Sequence, residues 1–218
     1  MNQDKWKAKG IFLDLDGTIV DSRGAYLEAG RITFKALGKK VPEPKILLEI
    51  PRRMEQQRSI DDLIQGETKH FMKVYLRAYY SVTEAKTKLM PNVSETLEVL
   101  SGKAKLALIT MRYCSNQILY KELDFFGISK YFSHIVTAMD TAFPKPSPEA
   151  LLQCVENLDL EMSDCIIVGD SINDVRAGKA AGARTVALLS GLYQEEELVK
   201  EKPDLILPDV SALPKFVN

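Results

Sequence analysis

Two aspartates close a short apolar run near the start of the chain. In "GIFLDLDGTIVDS", residues 10–22, Ile11-Phe12-Leu13 reads as a buried strand, Asp14 and Asp16 stand at its end, and Gly17-Thr18 reads as the turn beyond. Three further apolar runs lead to reactive side chains. "KLALI" is followed by Thr110, "HIVTA" a little further on, within "FPKPSPEA", by Lys145, and "CIIVG" by Asp170, with Ser171, Asn173 and Asp174 after it. As strands of one parallel sheet, these runs would place their carboxyl ends on one rim, where open parallel sheets bind ligands. Such a rim carries three or four carboxylates, a hydroxyl and an ammonium. Clustered carboxylates in a cleft cannot all stay ionised without a cation. A hard ion with oxygen ligands relieves the repulsion, and Mg²⁺ is the usual choice where the ion is shared with a phosphate. Lys145 and Thr110 suit phosphate oxygens as a point charge and a neutral donor, and the amides of the Gly17 turn are further candidate donors. With a phosphoryl group held there, one carboxylate can attack phosphorus and form an aspartyl-phosphate. The other can protonate the leaving alkoxide and then deprotonate water.

The elements that must position these groups are legible in the periodicity. From Met90 onward helix and strand patterns alternate: "SETLEVLSG" then "KLALIT", "SNQILYKELDFFGI" then "SHIVTA", "SPEALLQCVENL" then "DCIIVGD", "INDVRAGKAAGA" then "RTVALL", and a last strand pattern at "DLIL". Alternation of this kind predicts an α/β fold, a Rossmann-like parallel sheet covered by helices on both faces. The first strand, residues 11–15, belongs with that sheet. Between it and Met90 the pattern is helical, in "RGAYLEAGRITFKALGKK" and "IDDLIQGETKHFMKVYLRAYYS", with Pro42, Pro44 and Pro51 as punctuation between the two. The expected organisation is a discontinuous core, residues 1–20 and 90–218, with an inserted α-helical cap at 21–89 and hinges near 19–22 and 88–92.

Composition bounds the function. The 218 residues, 45% apolar and 27% charged, are ordinary for a globular protein and suffice for a sizeable core. A net charge of −1 and the lack of any like-charged tail argue against a nucleic-acid partner. No run approaches the ~18 apolar residues of a membrane span, and "MNQDKWKAKG" lacks the apolar stretch of a secretory signal. Cys114, Cys154 and Cys165 have no metal-ligand spacing and read as buried thiols of a reducing compartment, so a cytoplasmic protein is expected. His70 and His134 suit structural positions. Charge is uneven along the chain: residues 21–90 hold 14 Lys/Arg against 9 Asp/Glu, while the remainder holds 15 against 21. A basic lid over an acidic, metal-loaded rim would favour an anionic substrate. "PRRMEQQR", with Arg52, Arg53 and Arg58, is its densest basic segment.

Taken together, "DLDGTIVDS", Thr110 after an apolar strand, Lys145-Pro146 and "GDSINDVRAGKAAG" resemble the four motifs of the haloacid dehalogenase superfamily, in its phosphoglycolate phosphatase and β-phosphoglucomutase-like subgroup. The resemblance runs in the family's order over essentially the whole chain. It implies Asp14 as nucleophile, Asp16 as general acid/base that also gives its backbone carbonyl to Mg²⁺, and Thr110 and Lys145 as phosphoryl ligands. It further implies Asp170 as a direct metal ligand, with Asp174 behind it or as an occasional ligand. The insertion after the first motif matches the family's helical cap. Dehalogenases of this fold expel halide, which needs no proton, and lack an acid at the place of Asp16, so Asp16 argues for phosphate esters. One departure stands out: Met111-Arg112 follow Thr110 where such phosphatases often carry Asn or Ser, which makes Arg112 a candidate substrate contact. The expected protein is a Mg²⁺-dependent phosphatase of a small phosphomonoester, monomeric or homodimeric. A phosphomutase of the β-phosphoglucomutase type is the alternative, and a catalytically idle binding module a weaker one.

Overall fold

The computed structural model describes residues 5–64 and 66–218, so that the "MNQD" of the N-terminal stretch lies outside the described residues. The chain divides into two units, one running to Val20 and resuming at Leu89–Asn218, the other Asp21–Lys88.

The smaller unit is helical: α1 (Arg23–Ala36), α2 (Pro44–Glu55), α3 (Asp61–Ile64) and α4 (Thr68–Lys86). Its core gathers Ala29 and Phe34 from α1, Leu47 and Ile50 from α2, Ile64 from α3, and Phe71, Tyr75 and Tyr79 from α4. The aromatic rings carry much of that packing, with Phe34 edge-on to Phe71 at 5.3 Å and Tyr26 stacked on Tyr79 at 5.4 Å. Two details differ from the periodicity. The prolines read as punctuation open and run through a helix instead: Pro44 occupies the first turn of α2, where a missing N–H costs nothing, and Pro51 lies inside it. The second helical pattern is also divided, into α3 and α4, with Gly66 between them and Gln65 outside the described residues.

The larger unit contains β1 (Gly10–Leu13), and the chain leaves and re-enters it through β2 (Val20–Asp21) and β3 (Lys88–Leu89), which pair with each other. There follow α5 (Val93–Ser101), β4 (Lys105–Ile109), α6 (Asn116–Phe125), β5 (Phe132–Val136), α7 (Glu149–Leu158), β6 (Cys165–Gly169), α8 (Ile172–Ala181), β7 (Arg184–Leu188), α9 (Glu195–Lys200) and β8 (Leu205–Leu207). Six strands form one sheet in the order β5-β4-β1-β6-β7-β8, and every pairing is parallel. Strand alternation sends Ile11, Leu13, Leu106, Leu108, Ile166 and Val168 to one face, where α5 and α6 cover them through Leu97, Leu100, Leu119 and Leu123. Phe12, Ala107, Ile109 and Ile167 go to the other face, under Leu151 and Cys154 of α7 and Ala177 of α8. The central strands β1 and β6 are therefore apolar and buried along their whole length, as strands covered on both faces are, while polar residues enter at Lys105, Ser133, His134, Arg184 and Thr185 of the flanking strands.

Register fixes the rim. Leu13 lies beside Leu108 of β4 and Val168 of β6, so Asp14, Thr110 and Asp170 leave the three central strands within a residue of the same level. The main chain carries that alignment one step further, with the Asp14 N–H donating to the Val168 carbonyl and that of Thr110 to Val136.

Candidate active site

Lys145 organises the rim. Its ammonium lies 2.6 Å from Asp14 Oδ1 and 2.5 Å from Asp174 Oδ1, and donates to the Ile109 carbonyl at 3.2 Å. It thereby ties the ends of β1 and β4 to the first turn of α8, and its side chain is only 1% exposed. Burial alone would push the lysine toward its neutral form, but attraction to and hydrogen bonds with Asp14 and Asp174 outweigh it and raise its pKa above the ordinary value.

Asp174 owes its orientation to local helix chemistry. Ser171 is the N-cap of α8: its hydroxyl accepts from the Asp174 N–H, while Asp174 Oδ2 accepts from the Ser171 N–H and hydroxyl. This capping box spends one carboxylate oxygen on the backbone and points the other at Lys145. Asp170 is buried beside it, with the Thr18 hydroxyl donating to Oδ1 at 3.3 Å. Asp14, Asp170 and Asp174 each offer an oxygen within 4.8 Å of the others.

Three buried carboxylates against one ammonium leave an excess of negative charge. Burial raises the pKa of Asp14 well above the usual carboxylate range; Lys145 opposes this, and Asp174 and Asp16 add to it. Oxygen-only donors at this spacing fit a hard divalent cation, which would supply the missing positive charge. Both oxygens of Asp174 already accept hydrogen bonds, so Asp14 and Asp170 are the better placed to ligate such an ion.

Two glycines make room for Asp170. Gly17 turns the chain at φ 85°, in the left-handed region, and a Cβ there would lie 2.5 Å from the Asp170 carboxylate. Gly191, in the loop after β7, comes closer still, since a Cβ would fall 1.6 Å from Asp170 Oδ2. Nothing in the sequence singles out Gly191, because its neighbour is 21 residues away and only the fold brings the two together. Gly191→Ala is accordingly expected to displace Asp170 without unfolding the sheet. In thermal melts the native chain should gain stability on addition of Mg²⁺, and the variant should lose most of that gain.

The sequence-derived residues do not all meet at one point. Asp14, Lys145, Asp170 and Asp174 converge, whereas Asp16 and Thr110 engage Arg112. The Arg112 guanidinium grips Asp16 through Nε–Oδ2 at 2.8 Å and Nη2–Oδ1 at 2.7 Å, and its other arm reaches Glu122 of α6 at 2.5 Å. The Thr110 hydroxyl accepts from the Arg112 N–H at 3.1 Å. Arg112, and Glu122 through it, are thus linked to Asp16 rather than built into the Asp14–Lys145–Asp174 cluster, the arginine flagged in sequence by its unusual place after Thr110 and the glutamate by nothing. In the helical unit, Arg52 pairs with Glu49, and Arg53 with Glu49 and Asp62, so these arginines are already engaged by carboxylates of their own unit.

An open parallel sheet with aspartates at the end of its first strand and a lysine–aspartate cluster on the same rim is the frame of the site, and the chain belongs to the haloacid dehalogenase-like hydrolases, whose family model matches residues 11–188. Within that family it is similar to the phosphoglycolate phosphatase of Escherichia coli, with 30% identity over 94% of this chain and 90% of that one. Among solved structures it resembles a haloacid dehalogenase-like hydrolase from Streptococcus pneumoniae, at TM-score 0.78 and 23% identity over 95% of this chain and 97% of the other. A chain from Thermotoga maritima assigned as a β-phosphoglucomutase shares the fold at TM-score 0.72 and 24% identity, over 94% and 96%. No helix among the described residues is long and apolar enough to cross a membrane, and the three cysteines are buried and unpaired by disulfides.

Proposed function

We propose that the protein is a Mg²⁺-dependent phosphatase of small phosphomonoesters, working through an aspartyl-phosphate on Asp14. The observation that carries this reading is the buried ion pair of Asp14 with Lys145 beside Asp170 and Asp174. The similarity to phosphoglycolate phosphatase supports phosphoglycolate as the first substrate to try. Three buried free thiols are consistent with a reducing, cytoplasmic setting, and the helical unit at 21–88 would be the cap.

An Asp14 oxygen attacks phosphorus as the ester P–O bond breaks, and the departing alkoxide takes a proton from Asp16. Water then attacks the phosphoryl group, giving its proton to Asp16 while the P–O bond to Asp14 breaks, so that ester and water become alcohol and phosphate. Lys145 stays charged throughout, offsetting the negative charge that collects on the transferred oxygens, and Thr110 donates to them. Asp14, Asp170 and the Asp16 carbonyl would hold Mg²⁺, which when bound offsets charge and orients the phosphoryl group.

Phosphate release from a panel of phosphomonoesters is the test. Release is expected with Mg²⁺ and should vanish in EDTA. If Mg²⁺ fails to elicit release from any member while a bisphosphate primer elicits sugar-phosphate isomerisation, the mutase reading replaces this one.

A further inference from the structure

We propose that Arg112 is a latch on the acid/base Asp16, and that Glu122 is the seat onto which the arginine withdraws to free it. This deepens the phosphatase reading and rests on it. An acid that serves a leaving group needs an oxygen facing that group. Here both Asp16 oxygens accept from the guanidinium, Oδ2 from Nε and Oδ1 from Nη2. A bidentate fork is the most directional hold a carboxylate can have, so in this arrangement Asp16 is placed but not free to donate.

The structure also offers the alternative position. Arg112 already touches Glu122 Oε2 through Nη1, while Glu122 Oε1 is buried and accepts no hydrogen bond among the described residues. A buried acceptor without a partner is costly, and a guanidinium that turned toward Glu122 would fill it. The two seats are therefore matched: one carboxylate gripped by both oxygens, the other by one, with a single arginine between them. The side chains of Arg112 and Glu122 are 5% and 12% exposed, so water competes little for either contact. Glu122 also projects from α6, packed on the sheet through Leu119 and Leu123, so the second seat stands on a rigid element. Lys145 cannot take over the hold on Asp16, since it is committed to Asp14 and Asp174. Arg112 is in this account a positioning residue, acting through Asp16.

Leaving-group chemistry separates this role from a structural one. An alkyl phosphate needs the acid to expel its alkoxide, whereas a p-nitrophenyl phosphate does not, and kcat/KM reports only the steps through transfer to Asp14. Glu122→Gln weakens the second seat and should lower kcat/KM for the alkyl ester by about tenfold or more, within the reach of general-acid catalysis, while the aryl value stays within about twofold. Arg112→Lys keeps the charge but cannot fork. In the Arg112→Lys/Glu122→Gln double variant, the alkyl-to-aryl ratio should match that of Arg112→Lys alone, because a latch already opened has nothing left to release. Equal loss on both esters in Glu122→Gln, or a Glu122→Gln effect undiminished in the Arg112→Lys background, would overturn the latch. The phosphatase reading fails separately, if the native protein hydrolyses neither ester or if Asp16→Asn leaves the alkyl-to-aryl ratio unchanged.

Discussion

Replacing Asp14 by Asn should abolish turnover, by ~10⁴-fold or more, the order seen when a covalent nucleophile is removed, while leaving the fold intact. The structural half of that expectation follows from the surroundings. Asp14 is one of several carboxylates crowding a single ammonium, and burial together with Asp174 and Asp16 already disfavours its charge. An Asn there removes a like charge, keeps an oxygen facing Lys145, and leaves Lys145 its second partner, Asp174. The variant should therefore melt close to the native protein in the absence of metal, and kinetics alone should change. A variant retaining a hundredth or more of native kcat would rule out attack by Asp14.

Lys145→Met has the opposite profile, with a large effect on stability as well as on rate. The substitution fills the same space but leaves Asp14 and Asp174 buried with no cation between them. Removing one member of a buried ion pair costs about 3–5 kcal/mol, and denaturant unfolding in EDTA should read a loss of that size. Two further measurements follow from the same cause. Mg²⁺ should return part of the loss, since it binds the folded form and supplies the missing charge. Asp14→Asn added to Lys145→Met should cost less than the sum of the two, because neighbouring charges do not act independently. A loss below about 1 kcal/mol in EDTA would mean that water reaches the cluster and screens it.

How much of this was legible in the sequence depends on what each feature rests on. The strands at 105–109, 132–136, 165–169 and 184–188 announce themselves as mainly apolar runs between helical patterns, their polar residues confined to Lys105, Ser133, His134, Arg184 and Thr185, because a sheet covered on both faces favours apolar strands. Strand ends then mark Asp14, Thr110 and Asp170 in the sequence itself. Helix α2 is masked in the pattern because proline ordinarily breaks a helix, whereas Pro44 sits in the first turn, where its missing N–H is harmless. The split of α3 from α4 escaped because the apolar spacing continues across Gly66. In the site, what was hidden is what the fold alone brings together. Asp16 is 96 residues from the Arg112 that grips it, and Glu122 looks like any surface acid of an amphipathic helix until its partner is seen. Gly191 is the same kind of case, a loop glycine whose reason is a carboxylate on another strand.

The central claim is covalent, and it is tested most directly by looking for the covalent species. Native protein mixed with a turned-over phosphomonoester and Mg²⁺, quenched in acid within the first turnovers and digested, should yield a peptide spanning residues 10–22 that is heavier by one phosphoryl group, with fragmentation placing it on Asp14. The Asp14→Asn protein treated alike should yield that peptide unmodified. A native enzyme that releases phosphate while its Asp14 peptide never carries the group, or carries it on another residue, would contradict the account.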